Sequence, residues 1–555
     1  MKICFAVMGW ENISVQLLSA HLKMRDHECE LAYDQCLFDD KNYVHIGPLQ
    51  RLFNNSSAVI EQVVRSDPDL ICFSVMSVMV SWANNLAQVL KEELPHVPIV
   101  FGGYHPTGTP ETVMLESFVD YVVVGEGEHA LAQLCDALED GTTPVDIPGV
   151  WYRDENGAIV DKGRAQPVEM LDELPYVDKS IFENHVPLHT YYLSSLARGC
   201  IYDCSYCAVS LFNEFSRDSG LKQFRYFSPE RAVDELKCHA EHYGSKWIDF
   251  RHAIFAVNQD WIEAFCQSYK DKIGVPFRVF MHPSVVKEKA ARTLKDAGCF
   301  TIQMGLESFD QNLRREALNR NETNKTIMRA IDTMEEVGIP YTLDYILGLP
   351  GQTETELENV LEMFSRLKHC YRLSPFMCQY LPGSKMVDYA VRRGDLSLGD
   401  VERINSGEHD NYMGEGSIGI YSGEWQRKLR MYRLIFRSFG LVPAWARQAF
   451  LKSGIYRVFQ YLPQKPTLKI LDIFIALFDM DARSYFYNYL WWISRRFVPG
   501  HPTFIFRRSP LRTKYRSLNL LAENAELNRF RCRGEQPETA PQERLVPQSN
   551  REGAA

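Results

Sequence analysis

Twice along the chain, short apolar runs alternate with segments of helical period, and this alternation narrows the fold more than any other feature. "KICFAVM" reads as a strand, "ISVQLLSAHLKM" as a helix, and "CELAYD" and "LICFSVM" as strands. "SWANNLAQVLKEEL" then reads as a helix and "PIVFGG" as a strand. "DYVVVGEGE" is a strand ending in glycines, and "HALAQLCDALEDG" is a helix closed by Gly141. Strands separated by helices specify a parallel, doubly wound α/β sheet, which binds ligands beyond the carboxyl ends of its strands. Those ends carry "SVMSV", "GGYHPT" and "GEGE", where small residues let a ligand approach the backbone.

Residues 1–141 therefore read as one domain. Residues 142–190, rich in Pro, Gly and Asp, read as a linker with a small hairpin around "DENG". The alternation resumes over 191–395, with strands expected at "YYLSSLA", "WIDFRH", "FRVFMH", "TIQMGLES", "YTLDYILGLP" and "LSPFMCQYLP". Ser228 before Pro229 and Glu230 looks like a helix N-cap with proline in the first turn. Six such units make a partial (β/α)6 barrel, whose chemistry sits at the C-terminal strand ends. Residues 396–516 read as a mostly α, aromatic-rich region. Residues 421–520 hold 18 Lys and Arg against 4 Asp and Glu, a local +14 on a chain of net charge −10. Residues 517–555 read as a disordered tail.

With no signal-like N-terminus and fourteen cysteines diluted over 555 residues, the expected setting is a reducing cytoplasm. No apolar stretch is long enough to span a bilayer. The acidic balance and the lack of a nucleic-acid motif argue against a nucleic-acid partner.

Three cysteines stand out: Cys200, Cys204 and Cys207 in "LARGCIYDCSYCAVS", just after an expected strand. A structural zinc site normally takes four protein ligands, and no fourth is close. Three thiolates can hold three irons of a 4Fe-4S cluster and leave the fourth iron open to a small molecule. The blander alternatives are three structural thiols or part of a zinc site.

"CIYDCSYC" resembles the C-x3-C-x-aromatic-C motif of radical S-adenosylmethionine (SAM) enzymes, with Tyr206 in the aromatic slot. The resemblance implies that Cys200, Cys204 and Cys207 are the cluster ligands and the catalytic centre. SAM would chelate the open iron and be cleaved to a 5′-deoxyadenosyl radical. "MGLESFDQNLRREALNRNET" resembles the family's fourth-strand segment, which implies SAM contacts at Glu307, Ser308 and Arg320. "LDYILGLPGQT" resembles the fifth-strand segment beside the adenine, which points to Ile346 and Gly348. "IDFRHAIFAVN" departs from the acidic pattern of relatives and puts Arg251 and His252 there instead. His252 reads either as a substrate-facing acid or base or as a buried, hydrogen-bonded histidine.

A doubly wound, Rossmann-like domain ahead of such a barrel resembles the cobalamin-binding class of these enzymes. The resemblance spans roughly residues 1–395. It implies that Ser74, Ser77, Gly102, Gly103, His105, Thr107, Gly125, Glu126 and Gly127 surround the corrin and its tail. The D-x-H-x-x-G motif of cobalamin mutases is absent, so no histidine is expected below cobalt, and His105 is expected to hydrogen-bond instead. "MGWENIS" should face the corrin, with Trp10 at cobalt or in the core.

The expected activity is methylation of an unactivated carbon of a bulky or lipid-like small molecule, with an electron donor such as flavodoxin or ferredoxin. A non-methylating radical reaction, as in the anaerobic magnesium-protoporphyrin monomethyl ester cyclase, is the alternative. A cofactor sensor without turnover is the second. The basic C-terminal region stays open between a substrate lid, a surface touching an anionic membrane and a solvated bundle.

Overall fold

A computed structural model describes residues 1–38, 46–144, 146–408 and 423–521. The N-terminal sheet has seven strands: β1 (Lys2–Met8), β2 (Glu28–Asp34), β3 (Leu70–Ser74), β4 (Ile99–Gly102), β5 (Tyr121–Val123), β6 (Val150–Arg153) and β7 (Ile159–Val160). Their order is β2-β1-β3-β4-β5-β6-β7, parallel from β2 to β5. The direction of winding reverses between β1 and β3, and a crevice opens at that switch point. Both faces are covered by helices, so the strands are almost continuously apolar, as in "LICFS".

The hairpin around "DENG" is part of this sheet rather than a detached ribbon. β6 pairs antiparallel with β5, and β7 with β6. Without it β5 would be an open edge. The sheet therefore continues to Val160, past the expected domain boundary at Gly141.

The second body begins with β8 (Tyr192–Ser194), followed by a small antiparallel pair, β9 (Ala197–Arg198) and β10 (Arg225–Tyr226). β11 (Ile248–Phe250), β12 (Phe277–Met281), β13 (Cys299–Glu307), β14 (Tyr341–Leu347) and β15 (Cys370–Met377) follow. β8 and β11–β15 form one parallel sheet in chain order, an open six-stranded barrel. The last strand begins three residues before the expected "LSPFMCQYLP", because Cys370, Arg372 and Leu373 are already buried against β14. The intervening helices start and stop on local signals. The Ser228 side chain accepts from the Arg231 amide at 3.3 Å, Pro229 opens the helix Pro229–Tyr243, and left-handed Gly244 closes it.

The C-terminal part is helical. The helix Gly423–Phe439 packs Leu429, Tyr432, Ile435 and Phe436 into the core that also holds β14 and β15. The helix Met480–Arg495 is tied to the barrel by Arg278–Asp481 at 2.8 Å and by Trp247 Nε1 donating to Ser484 Oγ at 2.9 Å. The chain then returns to the N-terminal sheet: Arg512 pairs with buried Glu61 at 2.7 Å, and Leu520 is fully buried. Residues 517–521 are thus packed, not part of a free tail, since "SLNLL" offers three leucines to that core. The rest of the expected tail, 522–555, lies outside the described residues. No helix among the described residues is long and apolar enough to cross a membrane.

Candidate active site

The two sheets turn their strand ends toward each other, and between them lies a cavity of about 700 Å³. From the N-terminal side it is lined by Met8, Trp10 and Glu11 after β1, Ser74 and Met76 after β3, and Gly102 and Gly103 after β4. Gly125, Glu126 and Gly127 complete that wall. From the barrel side come Cys200, Cys204, Cys207, Tyr206, Glu307 and Arg320. Among the described residues none after Asp344 lines it. The C-terminal helices reach it through Trp10, whose ring lies 4.7 Å from Tyr485 and 5.7 Å from Trp492.

Gly103 shows why this wall needs glycine. Its φ is +102°, and a Cβ there would stand 2.9 Å from the backbone N and O of Val75. Any side chain would force the β3 and β4 loops apart.

The three cysteines occupy the loop between β9 and the helix Val209–Asp218. Asn213 fixes the loop: its Oδ1 accepts from the Cys200 amide at 3.0 Å, and its Nδ2 donates to the Cys200 and Tyr202 carbonyls at 2.9 and 3.0 Å. Ser205 N donates to Leu318 O at 3.0 Å, fastening the loop to the β13 side. Burial pushes the thiols up, Cys200 and Cys207 to about 11 and Cys204 to about 12. Thiols held neutral by burial become thiolates when a cationic metal group compensates their charge. Among the described residues no three His, Cys, Asp or Glu side chains converge on one metal-ion position.

Glu307 ends β13 where the ladder to β14 slips register, and it holds φ = +63°. A non-glycine residue in this conformation is strained, and such strain gathers at functional sites. The kink turns its carboxylate back over Gly305, toward Arg320 at 3.5 Å. Burial raises Glu307 to about 7 against the pull of Arg320. Arg320 is anchored through four of its five N–H donors, Glu307 taking one of them. It pairs with Glu322 at 2.6 Å and donates to Gly305 O at 2.9 Å and to Tyr206 Oη at 3.3 Å.

Other expected contacts stand behind the lining. Ser308 donates to Glu356, Ile346 packs beneath with Tyr206, and Gly348 N donates to Gln352 at 2.7 Å. Thr107 accepts from the Gly125 amide at 3.1 Å. Buried His105 is bound to Ser77 Oγ at 3.1 Å and to Asn405 O at 3.1 Å, and neither it nor Ser77 lines the cavity. Glu126 does line it, but its carboxylate is held by Arg198 at 2.7 Å and Arg225 at 2.5 Å, which makes it a tie between the two bodies. His252 both lines the cavity and is largely buried: Nδ1 accepts from Leu196 N, Nε2 donates to Phe255 O at 3.1 Å, and burial lowers it to about 4.

Sequence reasoning missed the floor of the cavity. Asp344 on β14 takes both bonds of Gln303 Nε2, at 2.9 and 2.7 Å, and both residues line the space with Arg251. The signal was present: a carboxylate in the apolar strand "YTLDYIL" needs a reason. Burial raises Asp344 to about 6. A carboxyl whose folded value is raised loses stability as pH climbs from its ordinary 3.8 through 6. Asp344→Asn should therefore be more stable than the parent at neutral pH, by about 1–3 kcal/mol, and equal to it below about pH 4. Urea unfolding of the substrate-free protein at both pH values checks this, and equal stability at neutral pH would refute it.

Residues 194–364 match the radical SAM superfamily, and residues 7–135 match the B12-binding domain family. An uncharacterised methyltransferase of Pyrococcus horikoshii is 27% identical over 344 residues, 60% of this chain and 72% of that protein. The anaerobic magnesium-protoporphyrin IX monomethyl ester cyclase of Rubrivivax gelatinosus is 25% identical over 317 residues, and the chain spans only 55% of its length. The fold is shared with the cobalamin-dependent SAM radical enzyme OxsB, at a TM-score of 0.61 and 15% identity over 90% of this chain and 82% of that one. It is also shared with the methyltransferase TsrM of Kitasatospora setae, at a TM-score of 0.56 and 16% identity over 72% of this chain and 76% of that one.

The chain is a radical SAM enzyme. Its B12-binding domain places it among the cobalamin-binding members of that superfamily, and its cofactors are a 4Fe-4S cluster, SAM and cobalamin.

Proposed function

We propose that the protein transfers a methyl group from SAM, by way of cobalamin, to an unactivated carbon of a bulky or lipid-like small molecule. The observation that carries this is the single shared cavity. Strand ends of the B12-binding sheet and all three cysteines line one space, so a corrin and a cluster-bound SAM face the same substrate. When bound, the cofactors supply the methyl group and the hydrogen-abstracting radical.

The chain's own residues hold and screen. Cys200, Cys204 and Cys207 hold the cluster. Glu307 and Arg320, with Tyr206 behind them, hold SAM. Ser74, Gly102, Gly103, Gly125 and Gly127 leave room for the corrin, and Trp10 shields it from water. Asp344 and Gln303 at the floor give a substrate hydroxyl or amine a hydrogen-bonding anchor. A flavodoxin or ferredoxin supplies the electron. Described cysteines such as Cys4, Cys72, Cys135, Cys266 and Cys299 are buried and form no disulfide, which suits a reducing cytoplasm.

Anaerobic turnover with SAM and a strong reductant tests the reading. Methylation predicts both 5′-deoxyadenosine and S-adenosylhomocysteine. Deoxyadenosine alone would favour the cyclase-like reaction, and neither product would favour a sensor. His105, held away from the cavity, should not reach cobalt. Electron paramagnetic resonance of the cob(II)alamin form should lack nitrogen splitting from a protein base. A nitrogen triplet that disappears in His105→Ala would overturn this.

A further inference from the structure

The helix Gln464–Phe478 wears its apolar residues outward. Ile470, Ile473, Phe474, Leu477 and Phe478 are 52–79% exposed. Their i, i+3, i+4, i+7, i+8 spacing sets them in one stripe along the helix. The inward side is filled by Leu468 and Ile475. The adjoining helix Met480–Arg495 adds Phe486, Tyr487 and Leu490, again at helical spacing and each nearly half exposed. Of the 28 large apolar side chains exposed among the described residues, 16 lie between Trp445 and Phe506. The exposed hydrophobes thus concentrate in one part of the chain, with the two adjoining helices at its centre, rather than scattering singly as on any surface. None of it lines the active-site cavity.

We propose that this stripe seats the enzyme on an anionic lipid bilayer. Residues 421–520 carry +14 by sequence, while the remainder of the chain carries −24. Arg433, Arg447, Arg496 and Arg512 are buried, and Lys428, Arg457, Arg507 and Lys514 pair with carboxylates outside this part, so the field rests on the cations left exposed. Lys452, Arg483 and Arg508 in this part of the chain are exposed. Trp445 at 87% and Tyr461 at 81% exposure are the residue types that settle at the headgroup level. No described helix is long and apolar enough to span, so the contact lies in the interface plane. A second copy fits worse, since it would bring two net-basic regions together. Residues 522–555 fit worse too, because Leu527, Phe530, Leu545 and Val546 are the only large apolar residues there. The proposal is independent of methyl transfer, because the stripe and the cavity share no residue.

The test is flotation of the reconstituted full chain with vesicles of phosphatidylcholine and phosphatidylglycerol at about 7 to 3, beside pure phosphatidylcholine. The parent should float with the anionic vesicles, more weakly with neutral ones, and salt should remove only part of the binding. The double variant Phe474→Ser, Phe478→Ser should partition about 100-fold less, at roughly tenfold for each buried phenylalanine. Its iron and cobalamin content should be unchanged. Leu398→Ser, which removes an exposed leucine elsewhere, should float like the parent. Failure of the parent to float, or unimpaired flotation of the double variant, overturns the proposal. So does a concentration-dependent dimer, seen by ultracentrifugation, that the double variant dissolves, because the stripe would then belong to a second copy.

Discussion

Protein in which Cys200, Cys204 and Cys207 are all changed to alanine should leave anaerobic reconstitution without iron–sulfur absorption and should cleave SAM no faster than a protein-free control. The parent should take up about four irons per chain. The three thiols are half-buried and pushed up to about 11–12, so without a metal they stay protonated at neutral pH. Loading the cluster must therefore release protons, and reconstitution should slow below neutral pH. Cobalamin uptake is a separate readout, because its wall comes from the first sheet. It should survive the triple change, which distinguishes loss of the cluster from loss of the fold. A triple variant that kept its iron would remove the basis of the site.

The large elements were legible because each follows from a local rule. Period-two and period-3.6 apolar patterns marked the strands and helices, and the C-x3-C-x2-C spacing marked the cluster loop. What the sequence did not reveal depends on pairing at a distance. Glu126 reads as a cofactor contact in "GEGE", yet Arg198 and Arg225, 72 and 99 residues away, claim its carboxylate. His105 looks available in "GGYHPT", but Asn405, 300 residues on, supplies its second partner. Asp344 joins the site only because Gln303 lies beside it on the neighbouring strand. The sequence leaves the C-terminal helices open between a lid, a membrane surface and a solvated bundle, whereas Arg278 and Arg372, on the strand face that also carries Gln303 and Asp344, draw Asp481 and Asp479 onto the barrel. The apolar residues left uncovered by that docking carry the bilayer proposal.

Arg320→Lys should keep the fold and lose most SAM cleavage, roughly a 100-fold drop or more, as when a preorganised donor is removed from a charged site. The guanidinium serves Glu322, Gly305, Tyr206 and Glu307 at once, and a planar fork can reach all four where a single ammonium cannot. Lysine would keep one positive charge among these groups, so burial remains compensated. It would release Glu307, whose kinked backbone turns the carboxylate back over Gly305 toward Arg320. Arg320→Ala is a harsher change. It leaves Glu307 and Glu322 buried without their cation, and breaking such a pair costs about 3–5 kcal/mol. That variant should unfold at lower urea and load less cluster, whereas the lysine variant should load normally and bind SAM poorly. Measuring iron content, unfolding midpoint and 5′-deoxyadenosine formation on both variants separates support of the fold from positioning of SAM. A lysine variant that loads its cluster and cleaves SAM at the parent rate would show that Arg320 only braces the loop.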